Sequence, residues 1–483
     1  MPANRAQDKS KEFATGKTFG LIIKYSIPTI VGMLANALYA FIDRVFVGHL
    51  PGGEGQLGMA AINIAMPVTI IIFAVAMFAG AGAGANIALS LGRGRKDLAE
   101  KYIGNGTTMG IAIALVASLA FIALRTPILM LFGASGQSAE VLPYAESWLT
   151  IMLIGTTINT FGFCLSRFVL AQGFTTVSMI SMFIGVGVNI ALAPLFLFVF
   201  RWGVAGSAAA TVVAQTAGSA YSLSYFLRGR MPLRLRLNNL KPDWQIMGAI
   251  AAIGISPGAL QLAMALVQVV LNNSLSAFGG EAISAMSAIN AVSQVVLMPV
   301  FGINQGVQPI IGFNYGAKLF SRVRRLLLQA IAIAVVLMTV FWAFIMLDAP
   351  TVIRMFGAAN GGLMRIGPGA IRMFLLALPL VGFQVVSSNY FQAVGKPKQS
   401  LALTMSRQVL FLLPAVLLLP RFFGMNGVFM AGGVADSVSA VMTALFLMRE
   451  LRHLNEQPDA ELAAHLVRDG VLEVPAQEGP TQG

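Results

Sequence analysis

The stretch Tyr39-Ala-Phe-Ile-Asp-Arg-Val-Phe-Val-Gly48 contains the end of the chain's first long apolar run. This run, residues 19–43, is long enough to cross a bilayer as a helix, and it contains a carboxylate, Asp43. A charge at bilayer depth costs about 2.5–3.5 kcal/mol, so such a residue usually faces a wet cavity or the interior of a helix bundle. Asp43 is therefore a candidate functional residue. The alternative is that Asp43 and Arg44 only end a helix near the lipid headgroups.

Similar apolar runs recur along the whole sequence of 483 residues, of which 57% are hydrophobic and 11% are charged. A soluble domain would have about a quarter of its residues charged. We therefore predict an all-α polytopic membrane protein with twelve transmembrane helices in a lipid bilayer. The predicted spans are residues 19–43, 60–88, 104–124, 143–165, 175–199, 203–227, 245–274, 283–311, 325–347, 368–391, 401–419 and 426–448.

The basic residues lie mainly on one side of the predicted membrane. The N-terminus and alternate loops, with Arg167 counted among the loop residues, carry 24 of the 32 Lys and Arg; the opposite side carries 7, and Arg407 lies within a span. The positive-inside rule then predicts that both termini are cytoplasmic. This topology explains the net charge of +13, so the charge does not indicate a nucleic-acid partner.

Four short motifs of the first half recur in the second half, in the same order and at a nearly constant offset. The pairs are Ala61-Ile-Asn63 and Ala288-Ile-Asn290, Leu91-Gly92 and Tyr315-Gly316, Phe132-Gly-Ala and Phe356-Gly-Ala, and Trp202-Gly-Val-Ala-Gly206 and Phe423-Gly-Met-Asn-Gly427. They indicate a duplicated unit of six spans. Because six is even, both units have the same orientation, which is a parallel repeat found in many secondary transporters. Channels are also built from repeats and remain possible.

The repeat and the charge pattern predict five regions. They are a cytosolic N-terminal tail (1–18), an N-lobe (19–227), a basic cytosolic linker (228–244), a C-lobe (245–450) and a cytosolic C-terminal tail (451–483). The N-terminal tail lacks the apolar core and cleavage site of a signal peptide. In the C-terminal tail we expect a short amphipathic helix near Asp459–Val467, followed by disorder.

Polar residues inside the spans recur at helical spacing, so that each set shares one helix face. The sets are Asn36, Tyr39 and Asp43 in the first span, Met182, Asn189 and Ala193 in the fifth, and Thr211 and Gln215 in the sixth. If these faces converge, they form a small polar site whose oxygen atoms suit a proton or a hard cation. The alternative is that Asn189 and Thr211 only bridge helices.

Two further features of the spans have structural interpretations. Asp436 lies mid-span in the last helix and is predicted to form a salt bridge with Arg407. The run Ala79-Gly-Ala-Gly-Ala-Gly-Ala-Asn86 is predicted to pack closely against neighbouring helices, since small residues let membrane helices approach.

Signatures of an enzyme are lacking. The chain has one cysteine, Cys164, and three histidines, which are too few for a Cys/His metal site. There is no phosphate-binding loop, and we predict neither catalytic residues nor a metal nor a cofactor. A transport protein is the class that remains.

Three stretches resemble the multidrug and toxic compound extrusion (MATE) transporters. Ile27-Pro28 with Ile42-Asp43 and Phe46-Val-Gly48 is similar to that family's first helix, and Gly203-Val-Ala-Gly-Ser-Ala-Ala-Ala-Thr211 is similar to its sixth. The most specific match is Gly302-Ile-Asn-Gln-Gly-Val-Gln-Pro-Ile-Ile-Gly-Phe-Asn-Tyr-Gly316, which is similar to the eighth-helix signature. The resemblance covers residues 19–450 and is nearest to the bacterial DinF-like and MepA-like branch.

The resemblance implies two six-helix lobes around a V-shaped central cavity, in the inner membrane of a bacterium. It implies multidrug efflux, and hence antibiotic resistance, by antiport: an amphiphilic, often cationic compound leaves while H⁺ or Na⁺ enters. The family's N-lobe cation site uses an Asp, an Asn, commonly a second Asp, and a Thr. These positions correspond to Asp43, Asn189, Ala193 and Thr211, so the second carboxylate is missing here.

We hypothesise that Asp43 is the coupling residue, assisted by Asn189 and Thr211, and that H⁺ is the coupling ion. Na⁺ is less favoured because the loss of a carboxylate at Ala193 removes an oxygen ligand. Asn36, Tyr39, Met182 and Gln215 are the candidate substrate contacts. Alternatives are a flippase or exporter of a lipid-linked or polar metabolite, which would need a cavity lined with Arg and Lys, and a passive channel. We expect a monomer, since each lobe already has a partner.

Overall fold

The computed structural model describes residues 2–51, 54–132, 134, 140–229, 231–355 and 361–456. Helices are the regular elements of this part of the chain, and no strand occurs in it. They are α1 (Pro2–Thr15), α2 (Thr18–Gly48), α3 (Glu54–Gly92), α4 (Lys96–Ala123), α5 (Arg125–Leu131), α6 (Leu142–Ala171), α7 (Thr175–Pro194), α8 (Gly203–Leu227), α9 (Trp244–Ser276), α10 (Gly280–Gly316), α11 (Phe320–Leu347), α12 (Ala349–Arg354), α13 (Gly361–Phe374), α14 (Leu378–Ala393), α15 (Pro397–Met405), α16 (Leu413–Leu418) and α17 (Pro420–Glu456). The predicted tail helix near Asp459–Val467 and the motif beginning at Phe356 lie outside the described residues.

The helices account for the predicted spans and confirm the all-α membrane fold. Ten of the described helical segments are long and apolar enough to cross a bilayer, or eleven if the bent pair α13–α14 forms one span. The remaining predicted span is α8, whose 25 residues include many Gly, Ala, Ser and Thr and are therefore less apolar. Helices are expected throughout, because hydrocarbon offers no water to satisfy backbone N–H and C=O groups.

Three predicted spans are irregular. The fifth ends in a π-helical segment (Leu195–Val199) that follows α7. The tenth, predicted as one helix over 368–391, bends by 46° where α13 ends and α14 begins. Pro379 lies in the first turn of α14, where its missing N–H costs no hydrogen bond. In the eleventh, a π-helical segment (Ser406–Leu412) separates α15 from α16. Pro414 follows it and has no N–H for the carbonyl of Leu410, which accounts for the irregularity.

The two halves of the chain meet through helix crossings that small residues make possible. At the α3–α9 crossing, a Cβ on Gly254 would lie 1.9 Å from the carbonyl oxygen of Phe78, and one on Gly82 would lie 2.3 Å from that of Ile250. This confirms close packing of the run at 79–86. At the α2–α10 crossing, the hydroxyl of Thr29 donates to the carbonyl of Gly302 across 2.7 Å.

These crossings lie towards one face of the molecule. We call it the basic side: the side where α2 and α9 begin and α3 and α10 end, and where most of the Lys and Arg lie in the loops. There Gly92, at the end of α3, has no room for a Cβ, because the carbonyl of Phe313 lies 2.0 Å from that position. Contact between the halves is thus concentrated at the basic side, as a V-shaped arrangement that opens towards the opposite side requires.

The backbone repeats as the sequence does. Gly203 and Gly424 begin the sixth span of each half, at the offset of the sequence repeat, with φ of 55° and 56°. Gly173 and Gly395 form a turn in each half, at almost the same offset, with φ of 81° and 73°. These angles are in the left-handed region, which glycine tolerates because it has no Cβ. The similar geometry at corresponding positions supports the duplication.

The N-terminal segment is more ordered than a free tail. Helix α1 carries Phe13, whose buried ring contacts Tyr25 of α2 and Phe313 of α10 at centroid distances of 5.1 and 5.7 Å. Arg322 donates to the carbonyl of Phe13 at 3.0 Å, and Glu12 accepts from Lys24 at 2.5 Å. We call α1 the strap, because it joins helices of both halves at the basic side.

Candidate ion-coupling site

Asp43 lies within α2, which continues to Gly48, so the residue does not end the helix. The Oγ atom of Ser207 on α8 lies 3.0 and 2.9 Å from the two carboxylate oxygens of Asp43, and its hydroxyl donates to them. Arg44 is exposed. In the described part of the chain no Lys, Arg or His nitrogen lies within ion-pair distance of Asp43. The carboxylate is therefore held by a hydroxyl and not neutralised by a cation.

A second contact lies one helical turn away. The hydroxyl of Tyr39 lies 3.2 Å from that of Thr211. Tyr39 and Asp43 are four residues apart on α2, and so are Ser207 and Thr211 on α8. The two contacts between these helices are therefore separated by one helical turn. Ser207 was not among the predicted site residues. Its spacing from Thr211, within the motif that resembles the sixth helix, was the signal that could have identified it.

Asn189 brings α7 into the same site. Its Nδ2 donates to Thr211 across 3.3 Å. Its Oδ1 is buried and has no hydrogen-bond partner among the described residues. A buried acceptor left unpaired costs free energy, about 1–3 kcal/mol in typical cases, so this oxygen is suited to a donor or cation that enters the site.

Ala193 and Met182 lie on the same helix as Asn189, and Ala193 serves packing. Ala193 is fully buried in an apolar cluster that includes Val47 and Leu197. Met182 lies over Gly32 of α2, where a Cβ would be 2.9 Å from the Met sulfur. The position at which the family resemblance implies a second carboxylate is thus apolar here in its surroundings as well as in its side chain.

Asn36 and Gln215 lie further along α2 and α8, towards the basic side, and both side chains are exposed. The structure therefore brings together Asp43, Tyr39, Thr211 and Asn189, with Ser207 added. It leaves Asn36 and Gln215 beside this group, on exposed surface. Their contact with a substrate stays a prediction.

The structure contains the predicted ion pair between Arg407 and Asp436. Nε of Arg407, in the π-helical segment, donates to Oδ1 of Asp436 on α17 at 2.5 Å. Asp436 is 3% exposed, and its backbone carbonyl also accepts from Gln384 of α14. The salt bridge predicted from the sequence is confirmed.

Arg167 was predicted to lie in a loop, and this was wrong. Helix α6 continues to Ala171, past the predicted end at 165, so Arg167 is inside the helix. Its guanidinium lies over the ring of Phe163, with Cζ 4.8 Å from the ring centroid. The residues that follow Arg167 are mostly apolar or small. They were the signal that the helix continues, and the predicted span ended before them.

Comparison with known proteins identifies the chain's relatives. The sequence profile named MatE matches residues 28–195 and 258–417, about two thirds of the chain and parts of both halves. The chain belongs to the MatE family. Members of this family are membrane transporters, and the resemblance predicted from the sequence is confirmed.

Relatives of this MatE-family protein include two named multidrug export proteins. MepA of Staphylococcus aureus (strain NCTC 8325 / PS 47) is 24% identical over 444 residues, which cover 91% of this chain and 96% of MepA. MepA of Staphylococcus haemolyticus (strain JCSC1435) is 23% identical over 445 residues, covering 91% and 95%.

Solved structures share the fold. One is a MOP superfamily transporter from Pyrococcus furiosus Vc1, whose reverse polarity of the binding pocket suggests a different function; it has a TM-score of 0.86, 23% identity, and coverage of 92% of this chain and 99% of that one. Another is an outward-facing multidrug resistance MATE family transporter, with a TM-score of 0.86, 24% identity and the same coverage. At this identity the likeness bears on the fold alone.

Proposed function

We propose that this protein is a secondary active multidrug efflux transporter, which exports amphiphilic, often cationic compounds in exchange for H⁺. Its similarity to MepA along 91% of the chain supports drug export. The observation that carries the coupling is Asp43, a carboxylate within a spanning helix whose partner is the Ser207 hydroxyl. The excess of Lys and Arg on the basic side supports cytoplasmic termini. The protein is a monomer in a bacterial inner membrane in this proposal. The lobes are then residues 19–227 and 245–450, joined by the linker 228–244.

Helix α2 is suited to transmit the state of Asp43 to the other lobe. It carries Asp43 near one end and Thr29, which donates to Gly302 of α10, near the other. A bound ion can shift a conformational equilibrium only by its difference in affinity for the two states. Protonation removes the charge of Asp43 and adds a donor, so it changes the contact with Ser207. A movement of α2 that follows would weaken or strengthen the contact that closes the basic side.

The coupling ion is H⁺ and not Na⁺ in this proposal. A sodium ion needs several oxygen ligands, and the apolar surroundings of Ala193 supply none there. One carboxylate is enough for one proton per cycle. Asn189 and Thr211 assist by offering the unpaired Oδ1 and a hydroxyl within the same site.

Substrate contacts are proposed on the neighbouring surface, at the exposed Asn36 and Gln215 and at the half-buried Tyr39 and Met182. Asn36 and Gln215 supply polar groups that are exposed. Met182 supplies an adaptable thioether, which suits substrates of different shape.

The test is efflux of ethidium or DAPI from proteoliposomes, with ΔpH and a sodium gradient imposed separately. Wild type is compared with Asp43→Asn and with the control Arg44→Gln, which removes the neighbouring exposed charge. We expect efflux driven by ΔpH in wild type and in Arg44→Gln, and none above the passive leak in Asp43→Asn. Undiminished ΔpH-driven efflux by Asp43→Asn would contradict the coupling role. Efflux driven only by sodium would contradict the choice of ion.

A second candidate function is export or flipping of an anionic lipid-linked or polar metabolite. The observation that favours it is Arg167, a cation that lies inside helix α6 although the sequence analysis placed it in a loop. If folded wild-type protein transports no cationic dye under either gradient, this second function is favoured.

A further inference from the structure

The half-buried cation Arg167 lies where the two lobes meet. It is near the basic end of α6, and Gly80 and Gly84 of α3 leave the space that its side chain occupies. Nη2 lies 3.7 Å from the sulfur of Met77, and the guanidinium covers the ring of Phe163. Both contacts are favourable, but neither supplies a negative charge. Among the described residues no carboxylate forms an ion pair with Arg167.

A small cavity adjoins Arg167. It has a volume of about 20 Å³ and is lined by residues of α3, α6 and α10, which include Gly84, Gln305, Gln308 and Pro309. A cavity of this size admits roughly one water-sized group. Pro309 has no N–H, so the backbone carbonyl of Gln305 lacks its helical partner. The residues that line the cavity therefore include Arg167 from one lobe and two glutamines from the other.

The contrast with Arg407 indicates what is missing. Both arginines lie inside spanning segments, where a charge needs a partner. Arg407 has one within its own lobe, Asp436. Arg167 contacts a sulfur atom and an aromatic ring instead. Guanidinium is the group that best matches the planar geometry of carboxylate and phosphate. The partner of Arg167 is thus expected to come from outside the chain and to be negatively charged.

We propose that Arg167, Gln305 and Gln308 form an anion-binding subsite at the lobe interface, which receives the carboxylate or phosphate group of an amphiphilic substrate or a small free anion such as chloride. The guanidinium neutralises the charge, and the amide groups of the two glutamines donate further hydrogen bonds. The subsite rests on the proposed export function only for the first of these two sources.

The lobe closure accounts for how such a group enters. With α3 packed on α9 and α2 on α10, the basic side is closed and the cavity admits only a water-sized group. Because its walls come from both lobes, separation of the lobes at the basic side exposes Arg167 to that side. A substrate with an anionic group would then bind there, and the return of α10 would close around it or displace it.

The test uses one dye in two forms: a rhodamine with a free carboxylate, and the methyl ester of the same dye. Binding to purified full-length protein in detergent is measured by fluorescence polarisation, in chloride and in gluconate buffer. The variants are Arg167→Gln, Arg167→Lys, which keeps the charge, and Arg44→Gln as the control. We expect Arg167→Gln to weaken binding of the carboxylate dye about tenfold or more, as the loss of a charged hydrogen bond implies, and to leave the ester unchanged. Arg167→Lys should retain most of the affinity.

Two arms separate the sources of the anion. If chloride occupies the subsite, chloride weakens binding of the carboxylate dye and raises the melting temperature of wild type relative to gluconate, and both effects disappear in Arg167→Gln. If the substrate group alone binds, the anion of the buffer has no effect, while the preference for the carboxylate dye persists.

Equal weakening of both dyes by Arg167→Gln, or of neither, with no effect of chloride, would overturn the subsite. Binding and transport of the ester by wild type would in that case leave the proposed export function standing. If wild type binds neither dye but its melting temperature rises with chloride through Arg167, the subsite stands and the proposed substrates are wrong. Absence of both dye binding and a chloride effect would overturn the subsite.

Discussion

The first helix of each lobe carries a polar pair at the same interval after its internal proline, and the two pairs differ in chemistry. Tyr39 and Asp43 follow Pro28 in α2 as Gln268 and Asn272 follow Pro257 in α9. In α9 the side chains bond each other, with Gln268 donating to Asn272 at 3.0 Å. Amides stay neutral at every pH, whereas a carboxylate can gain or lose a proton. At this position only the N-lobe has a side chain that can gain or lose a proton.

The residues that surround the two polar pairs also differ in chemistry. Asp43 and Tyr39 contact the hydroxyls of Ser207 and Thr211. The corresponding positions of the C-lobe, at the offset that relates the two halves, are Val428 and Gly432, which have no hydroxyl. Gln268 accepts instead from Asn290 of α10. The duplicated helices thus kept their packing while their polar contacts diverged.

The C-lobe has its own intramembrane carboxylate, but a cation neutralises it. Asp436 is paired with Arg407, while Asp43 is not paired with any described cation. A paired buried carboxylate resists protonation and ion exchange, because either would leave the charge of its partner buried without compensation. We infer that Asp436 serves the fold and Asp43 serves coupling.

The largest expected effect follows from moving the carboxylate between lobes. Asp43→Asn should abolish uphill, ΔpH-driven dye efflux, and adding Asn272→Asp to that variant should not restore it. The reason is that the C-lobe position lacks the hydroxyls that hold Asp43. Efflux from proteoliposomes measures this, with size-exclusion profiles as a control for folding. Recovery of uphill efflux in the double variant would show that the lobes are interchangeable.

The next effect concerns the ion pair. Arg407→Gln should lower stability by about 3 kcal/mol, because it leaves Asp436 buried without a cation. The figure is the low end of the usual range, since the Arg407 side chain is 26% exposed. Adding Asp436→Asn should recover more than half of the loss. Thermal unfolding in detergent measures both variants, and a double variant as unstable as the single one would contradict a simple pair.

Introducing the missing carboxylate should change the ion preference. Ala193→Asp places a second acid beside Asn189, so sodium ions should raise the melting temperature of this variant by binding the folded state. Wild type should melt at the same temperature in NaCl and in KCl of equal concentration. A sodium-specific rise already present in wild type would contradict the proposed preference for H⁺.

The smallest effect concerns a carboxylate outside the membrane, Glu12 of the strap. Although burial alone would raise it, the pKa of Glu12 is lowered by hydrogen bonds from Lys24 and Tyr25 and by the charge of Lys9. Its contribution to holding the strap is therefore complete above the ordinary Glu pKa of about 4.3 and is lost as the pH falls through the lowered value.

Glu12→Gln should release the strap at neutral pH. We expect hydrogen exchange in α1 to rise roughly two- to fivefold, since partly exposed ion pairs contribute little. The protection factor of α1, which corrects for the pH dependence of intrinsic amide exchange, should fall in the wild type only on acidification. In the variant it should not change with pH over the same range. Identical exchange in both proteins at neutral pH would mean that the contacts of Glu12 do not hold the strap.

The candidate site shows which of its residues the spacing of polar residues along the sequence can identify. Asp43, Tyr39, Asn189 and Thr211 could be identified because their spacing places them on single helix faces and because a charge inside an apolar run is conspicuous. Ser207 was missed although it lies four residues before Thr211, because an isolated serine in a span is common and its importance depends on which face of α8 meets α2. Arg167 was misplaced because the end of a membrane helix depends on its neighbours as well as on hydropathy.

The sequence by itself determined the membrane class, the helical fold and the duplicated order of the helices, since apolar length, loop charge and internal repetition are read along one chain. It also singled out Asp43. Only the tertiary structure decided that a hydroxyl holds Asp43, that a cation holds Asp436, that the strap joins both lobes, and that Arg167 faces an interface cavity. These contacts join residues that are far apart in the chain, and the rotation of each helix that creates them is set by backbone approach at small residues such as Gly82, Gly254 and Gly302.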